Sequence, residues 1–301
     1  MALLHRNIFR LICRHSHTRS ALISATRLEE LLRGAESAQI KPVHADWNQG
    51  QDYDKGHIPE AVCFDGLICR DTDSPYLNML PNENVFARYV GEELGISNRD
   101  HVIVYEGNPD DPSPLLYSAR VWWMFRVFGH DNVSVLRGGL QAWIGSGFSV
   151  TIDTPQVESR QFEVSYRPQL VKSFEEIAKN IENPSFKLID CRGPSTFRGL
   201  KPSYGHYGHI PGALNIPAAA LLNEDKSDLA SQEELKKIFN SNLPLPELSK
   251  VVTSCGSGIT ASIGALALHE CGIEAPVYDG SWNEWTDRNG PKEREEKPIE
   301  Q

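Results

Sequence analysis

The sequence predicts an α/β protein made of two tandem copies of one domain, each a mainly parallel sheet with helices on both faces. Three observations predict it. Short apolar runs of β type, such as His101 to Tyr105 and Val251 to Ser254, alternate with longer helical stretches, the order that gives a parallel sheet. The turn Gly56-His57-Ile58-Pro59-Glu60-Ala61 returns as Gly208-His209-Ile210-Pro211-Gly212-Ala213. VIVYEG from residue 102 returns as VVTSCG near 251, and GGLQAW from 138 as GSWNEW from 280, so the three offsets are 152, 149 and 142. A repeat kept in order and nearly constant in spacing is a duplicated domain.

In chain order, Thr26 is placed to cap a helix running to Leu32, with Glu29 in capping-box position. A strand is expected from Ile40 to Asp46, a second after the first GHIP turn from Ala61 to Phe64, and an amphipathic helix from Glu83 to Leu94, ended by Gly95. His101 to Tyr105 is a buried strand, Ser118 to Phe128 a helix ended by Gly129, and Val133 to Leu136 a strand before the GGLQAW helix. The second copy repeats this with a helix from Phe174 to Ile181, a strand from Phe186 to Asp190, the strand at 251–254 and an apolar helix from Thr260 to Cys271. The resulting organisation is a leader over 1–25, a first domain over 26–150, a polar linker over 151–169, a second domain over 170–287 and a charged, disordered tail over 288–301.

Composition narrows the function. The 301 residues are 40% hydrophobic and 23% charged, as in a globular protein, and the formal net charge of −10 argues against nonspecific nucleic-acid binding. No run of 18 apolar residues exists, so no membrane helix is expected. The six cysteines form no CxxC pair and no zinc-spaced cluster with histidine, so no metal or other cofactor is called for and a reducing compartment is implied. The first 27 residues carry Arg6, Arg10, Arg14, Arg19 and Arg27, and the first acid is Glu29. That pattern matches a mitochondrial transit peptide, placing the protein in the matrix, with the cytoplasm as the alternative.

The chemistry is expected at Cys255, which closes a strand and opens a Gly-rich loop into a helix. Gly256 and Gly258 let the loop curl with its N–H groups inward, and the helix N-terminus adds partial positive charge. A cysteine there is favoured as thiolate and serves as a nucleophile. The first copy has Glu106 at the matching place, so only the second copy carries the nucleophile. A phosphatase would need an Arg six positions after the Cys, where Ala261 stands. A redox enzyme would need a resolving thiol, yet Cys271 lies a whole helix away, about 24 Å by helical rise. His57 and His209 occur in both copies and are read as structural.

The doubled GHIP turn, the RVWWMFRVFG helix, the CGSGITA loop and the DGSWNEW segment resemble the tandem-domain rhodanese family, most of all its 3-mercaptopyruvate sulfurtransferase branch, over about residues 26 to 287. The resemblance implies an inactive first domain and a persulfide on Cys255. It implies Ser257 as a second catalytic group, and Gly256, Gly258, Ile259 and Thr260 as the cradle. A small-molecule sulfur donor, and a thiol acceptor such as thioredoxin or glutathione, or cyanide, are the implied partners. Ser257 replaces the basic residue that thiosulfate-using members carry two positions after the Cys, which points to mercaptopyruvate; thiosulfate transfer, or a weakened sulfur-carrier or binding protein, is the alternative. The branch supports its loop serine with an Asp and a His; Leu67 and Asn78 stand in their places. Its substrate arginine falls at Thr196, leaving Arg198, Lys201 or His206 as substitutes. Arg192 is expected to pair structurally with Asp190 or a neighbouring carboxylate.

Overall fold

The structure, a computed structural model, describes residues 20–110, 115–243 and 250–294. The first sheet comprises β1 (Leu22–Ile23), β2 (Ile40–Asp46), β3 (Val62–Asp65), β4 (His101–Tyr105) and β5 (Val133–Leu136), in the order β1-β5-β4-β2-β3. The second comprises β6 (Val171–Lys172), β7 (Lys187–Asp190), β8 (Leu214–Asn215), β9 (Val251–Ser254) and β10 (Val277–Tyr278), in the order β6-β10-β9-β7-β8. The two orders are the same, and every strand pair is parallel. Every residue of β4 and β9 is buried, as expected for central strands covered on both faces.

The helices are α1 (Ala25–Arg33), α2 (Gln51–Asp54), α3 (Glu83–Arg88), α4 (Tyr117–Val127) and α5 (Gly139–Gly145) in the first half. The second half has α6 (Phe174–Glu182), α7 (Pro194–Phe197), α8 (Gln232–Asn242), α9 (Ile259–Glu270) and α10 (Ser281–Asp287). Two of them decide the architecture. Residues 118–127 of α4 are all buried, and so is nearly all of α9. A helix apolar on every side has no face for water and belongs inside. α4 and α9 pack on each other between the two sheets, and one apolar core runs through both domains there. The outer faces have their own smaller clusters, around Leu28, Leu140 and Trp143 in one domain and Ile177, Trp282 and Trp285 in the other.

Four expectations need correction. The cap of α1 is Ser24, whose hydroxyl accepts from the Arg27 N–H at 3.2 Å, so the helix starts at Ala25, ahead of Thr26. Residues 20–25, expected in the leader, pack into the fold: Leu22 and Ile23 form the edge strand β1 beside Val135 and Leu136, and the Ala21 N–H donates to Glu270 at 2.7 Å. The remainder of the expected leader, 1–19, lies outside the described residues. The helix from Glu83 changes to π geometry at Tyr89–Glu93, where Gly91 lies so close to the Arg160 carbonyl that a Cβ there would approach it to 2.5 Å. The tail is ordered through residue 294. His209 and Glu293 exchange backbone hydrogen bonds of 2.8 and 2.9 Å, and the Trp285 indole donates to the Pro291 carbonyl at 2.8 Å. The first copy does the same with His57 and Thr151, at 2.9 Å in both directions. Each GHIP turn thus binds the strand-like segment that leaves its own domain, and backbone pairing outweighs the polar side chains there. Residues 295–301 lie outside the described residues.

The linker 151–169 is irregular but fastened to the first domain. The N–H groups of Arg160, Ser165 and Arg167 donate to Gly91, Phe128 and Val127 at 2.8 to 3.0 Å, and Phe162 is buried.

Candidate active site

β9 delivers Cys255 to the carboxyl edge of the second sheet, where the chain turns through Gly256 and Ser257 into α9. Gly258 takes a left-handed conformation, φ +82°, and a Cβ there would stand 2.5 Å from the Asp279 carbonyl. That position therefore requires glycine twice over. The Cys255 N–H donates to Ser281 Oγ at 3.1 Å, and Ser281 donates to the Tyr278 carbonyl at 2.7 Å. The Trp282 and Asn283 N–H groups bind the Cys255 and Gly256 carbonyls at 3.1 and 2.9 Å. The carbonyls on the DGSW side are thus consumed. Among the described residues, the N–H groups of Gly256 through Thr260 have no hydrogen-bond partner and are available to an anion on the sulfur.

The first domain shows the same cradle closed. Glu106 follows β4 as Cys255 follows β9, and its carboxylate accepts the N–H groups of Leu116, Tyr117 and Ser118 at the start of α4, at 2.7 Å from Leu116 and from Ser118. A helix N-terminus that carries a cysteine in one domain is filled by the chain's own carboxylate in the other.

Ser257 is met by the first domain. Asn78, at φ +68°, donates from Nδ2 to Ser257 Oγ at 3.0 Å, and its Oδ1 accepts from the Trp47 indole at 2.9 Å. Ser257, accepting from Asn78, keeps its own O–H to donate. Asn78 is thus where the resemblance puts it. Leu67 is half-buried, with its N–H on Asp65 Oδ1 at 2.8 Å.

Sequence reasoning missed Arg120 and Asp279. Arg120, 1% exposed, reaches from α4 across the domain junction to Asp279 at 2.7 Å. The same guanidinium donates to the Asn78 carbonyl and, at 3.5 Å, to that of Gly258, and it stacks on Trp123. Asp279 also accepts the Leu80 N–H at 2.8 Å. One buried ion pair thereby holds both Asn78 and the turn into α9. Two arginines, Arg120 and Arg126, in the otherwise mostly apolar helix YSARVWWMFRV were the available signal.

The other candidates separate. Ile259 is buried and Thr260 half-buried at the start of α9. Cys255 is 1% exposed, and the rim beside it is Tyr204, whose ring lies 3.1 Å from where a Cβ on Gly256 would be. Arg198 is half-buried at the C-cap of α7, with its backbone N–H on the Pro194 carbonyl at 2.9 Å. Arg192 pairs with Asp190 as expected, 2.6 Å at the shortest, with its guanidinium over Trp282. Cys191 is fully buried behind α9; burial, with Cys255 adding to it, pushes its thiol well above the usual range, so it stays a neutral packing group. His57 and His209 stack on Tyr53 and Phe197, each with Nδ1 on that residue's carbonyl, which is a structural role.

The sequence model of the rhodanese-like domain matches residues 24–146 and 173–288. The chain belongs to the rhodanese-like domain family. Thiosulfate sulfurtransferase of Rattus norvegicus is 39% identical over 287 residues, covering 91% of this chain and 94% of the relative. 3-Mercaptopyruvate sulfurtransferase of Mus musculus is 38% identical over 286 residues, covering 90% and 94%. The solved 3-mercaptopyruvate sulfotransferase SseA of Escherichia coli superposes with a TM-score of 0.75 at 30% identity, over 87% of this chain and 99% of SseA. In this rhodanese-like chain both domains keep the fold, and the second alone has a cysteine at the strand end.

Proposed function

We propose that this chain is a sulfurtransferase that moves sulfane sulfur from 3-mercaptopyruvate to a thiol, such as thioredoxin or glutathione, or to cyanide, through a persulfide on Cys255. The observation that carries it is the contrast between the two cradles, one filled by Glu106 and the other opening onto Cys255. The Cys255 thiolate attacks the donor sulfur, the carbon–sulfur bond breaks, and the thiol proton ends on carbon as pyruvate forms, leaving Cys255–S–S⁻. The acceptor thiol then takes the outer sulfur, its proton travels with it, and the thiolate returns. Splitting the transfer in two avoids a direct reaction between donor and acceptor. The uncommitted N–H groups of the loop stabilise the anionic persulfide. The Ser257 hydroxyl is placed to donate to the leaving enolate.

A second reading has its own observation. Ser257 is backed by Asn78 and Trp47, neither of which can supply a proton. Thiosulfate needs none, because sulfite leaves as a dianion. The curated relatives carry both names, so the donor is decided by assay. Initial rates with each donor, with Cys255→Ser as control, test the reading: mercaptopyruvate must give pyruvate, the Cys255 peptide must gain one sulfur by mass, and Cys255→Ser must lose both while its circular dichroism is unchanged. Sulfur uptake from thiosulfate alone would replace the donor, and transfer retained by Cys255→Ser would reject the mechanism. The arginine-rich, acid-free start places the enzyme, within this proposal, in the mitochondrial matrix. Residues 1–19 fused to a reporter must carry it there, and a cytosolic reporter would reject the address.

A further inference from the structure

The first domain holds a second set of chemistry-bearing residues that the sulfur-transfer site does not use. β2 and β3 pair with His44 opposite Cys63. In a parallel pair, opposed residues face the same side, and so do residues two apart on one strand. His44, Asp46 and Cys63 therefore share one face, far apart though they are in sequence. A ring nitrogen of His44, a carboxylate oxygen of Asp46 and the Cys63 sulfur lie within 4.8 Å of one another.

Three features turn this juxtaposition into a donor set. His44 is 1% exposed, and its Nε2 lies 2.8 Å from the Gly107 carbonyl. A carbonyl only accepts, so Nε2 carries the hydrogen and Nδ1 presents a bare lone pair. Nδ1 is buried and has no hydrogen-bond partner. A ring whose far N–H is tied to a carbonyl is the arrangement that orients a metal-binding histidine. Asp46, 2% exposed, is fixed by the N–H groups of Asn48 and Gly50 on Oδ1 and of Asp52 on Oδ2, at 3.2 Å from Gly50 and from Asp52, which leaves one lone pair on Oδ2. The Cys63 thiol is faced by Asp46, Asp54 and Asp65, and a Cβ added to Gly50 would lie 4.0 Å from its sulfur. The neighbourhood is short of positive charge.

The second domain supplies the comparison. His44 pairs with Tyr105, the residue before Glu106, and Asp190 pairs with Ser254, the residue before Cys255. Asp190 and Arg192 thus take the places of His44 and Asp46, and Asn215 that of Cys63. There the aspartate and arginine neutralise each other directly, and Asn215 donates to two carbonyls, at 2.9 and 2.8 Å. In the first domain the same three positions hold a lone pair, a carboxylate and a thiol, with aspartate where the second domain has Arg192.

We propose that His44 Nδ1, Asp46 Oδ2 and Cys63 Sγ form a divalent transition-metal site, with Zn²⁺ the ion that suits one nitrogen, one oxygen and one sulfur. Bonds of about 2.0 to 2.3 Å in tetrahedral array put ligand atoms roughly 3.3 to 3.8 Å apart, so side-chain rotation closes the set. Binding replaces the Cys63 S–H bond by a sulfur–metal bond, and the proton leaves to solvent. The ion would lock β2 to β3 and, through His44 and the Gly107 carbonyl, the loop that carries Glu106.

Co²⁺, whose thiolate complexes absorb, is the probe, used on the full chain with Cys255→Ser so that the reactive thiol does not compete. One equivalent of Co²⁺ is expected to give a thiolate-to-metal charge-transfer band and intense tetrahedral visible bands, and Zn²⁺ to bleach both. Adding Cys63→Ser must abolish the charge-transfer band. Adding His44→Gln, which keeps an N–H for Gly107 but removes a ligand, must weaken binding by more than the roughly 10- to 100-fold that loss of a ligand's outer partner costs. In the unmutated chain, Zn²⁺ must protect the Cys63 peptide from alkylation and raise the Tm by roughly 5 °C at 100-fold excess over Kd. A band that survives Cys63→Ser, or a Cys63 alkylated equally fast with and without Zn²⁺, overturns the proposal.

Discussion

Replacing Arg120 by Met isolates the contact on which the junction depends. Arg120 and Asp279 are 1% and 4% exposed in their side chains and 2.7 Å apart, so removing the guanidinium leaves a buried carboxylate with the Leu80 N–H as its remaining described donor. Breaking a buried pair on one side costs about 3–5 kcal/mol, because the desolvated charge is stranded. Removing both partners strands no charge, only the Leu80 N–H and the carbonyls of Asn78 and Gly258, so Arg120→Met with Asp279→Leu should return part of that stability. Activity should not return. The guanidinium also holds the Asn78 carbonyl and Gly258, and neither substitution replaces those bonds. Urea unfolding midpoints report the first quantity and kcat for sulfur transfer the second. A single-variant cost below about 1 kcal/mol would refute the buried-pair reasoning. A double variant that regains both stability and rate would show that Arg120 does not position Asn78 and the turn.

Installing the missing relay with Leu67→Asp and Asn78→His should raise kcat for mercaptopyruvate, by at most ~10²–10⁴-fold, and leave thiosulfate unchanged; equal effects on both donors in steady-state assays would reject it. Histidine tolerates the positive φ of residue 78 better than most side chains. Burial raises the Glu274 carboxyl, but the two-pronged Arg126 contact and His269 more than offset it and bring it down to about 2. The folded value lies below the unfolded one, so the contribution of Glu274 is present above about pH 4.5 and is lost as pH falls toward 2. Urea midpoints of Arg126→Met should therefore fall less steeply over that window than those of the parent, and parallel curves would contradict the pairing. Deleting residues 1–19 should leave the Tm unchanged, whereas deleting 1–25 should lower it by several degrees through loss of β1 and the Ser24 cap; equal melting of the two truncations would argue against β1 as part of the fold.

What the sequence determined by itself was local or repeated. His101 to Tyr105 and Val133 to Leu136 are strands to the residue, because runs of apolar and β-branched side chains bounded by polar turns have one favourable place, the middle of a covered sheet. Cys255 between a strand and a Gly-rich loop was legible for the same reason, and Glu106 at the matching place marked the first copy as different. The tertiary structure decided what depends on groups distant in sequence. Polar composition at 288–294 and the basic stretch reaching residue 25 suggested segments outside the fold, yet backbone hydrogen bonds to His209 and β5 draw them in, and such bonds do not depend on side-chain type. Arg120, Asp279, Asn78 and Ser257 come from four segments of two domains and meet only because α4 and α9 are both too apolar to face water. His44 and Cys63 are neighbours through strand register alone, which no spacing along the chain encodes.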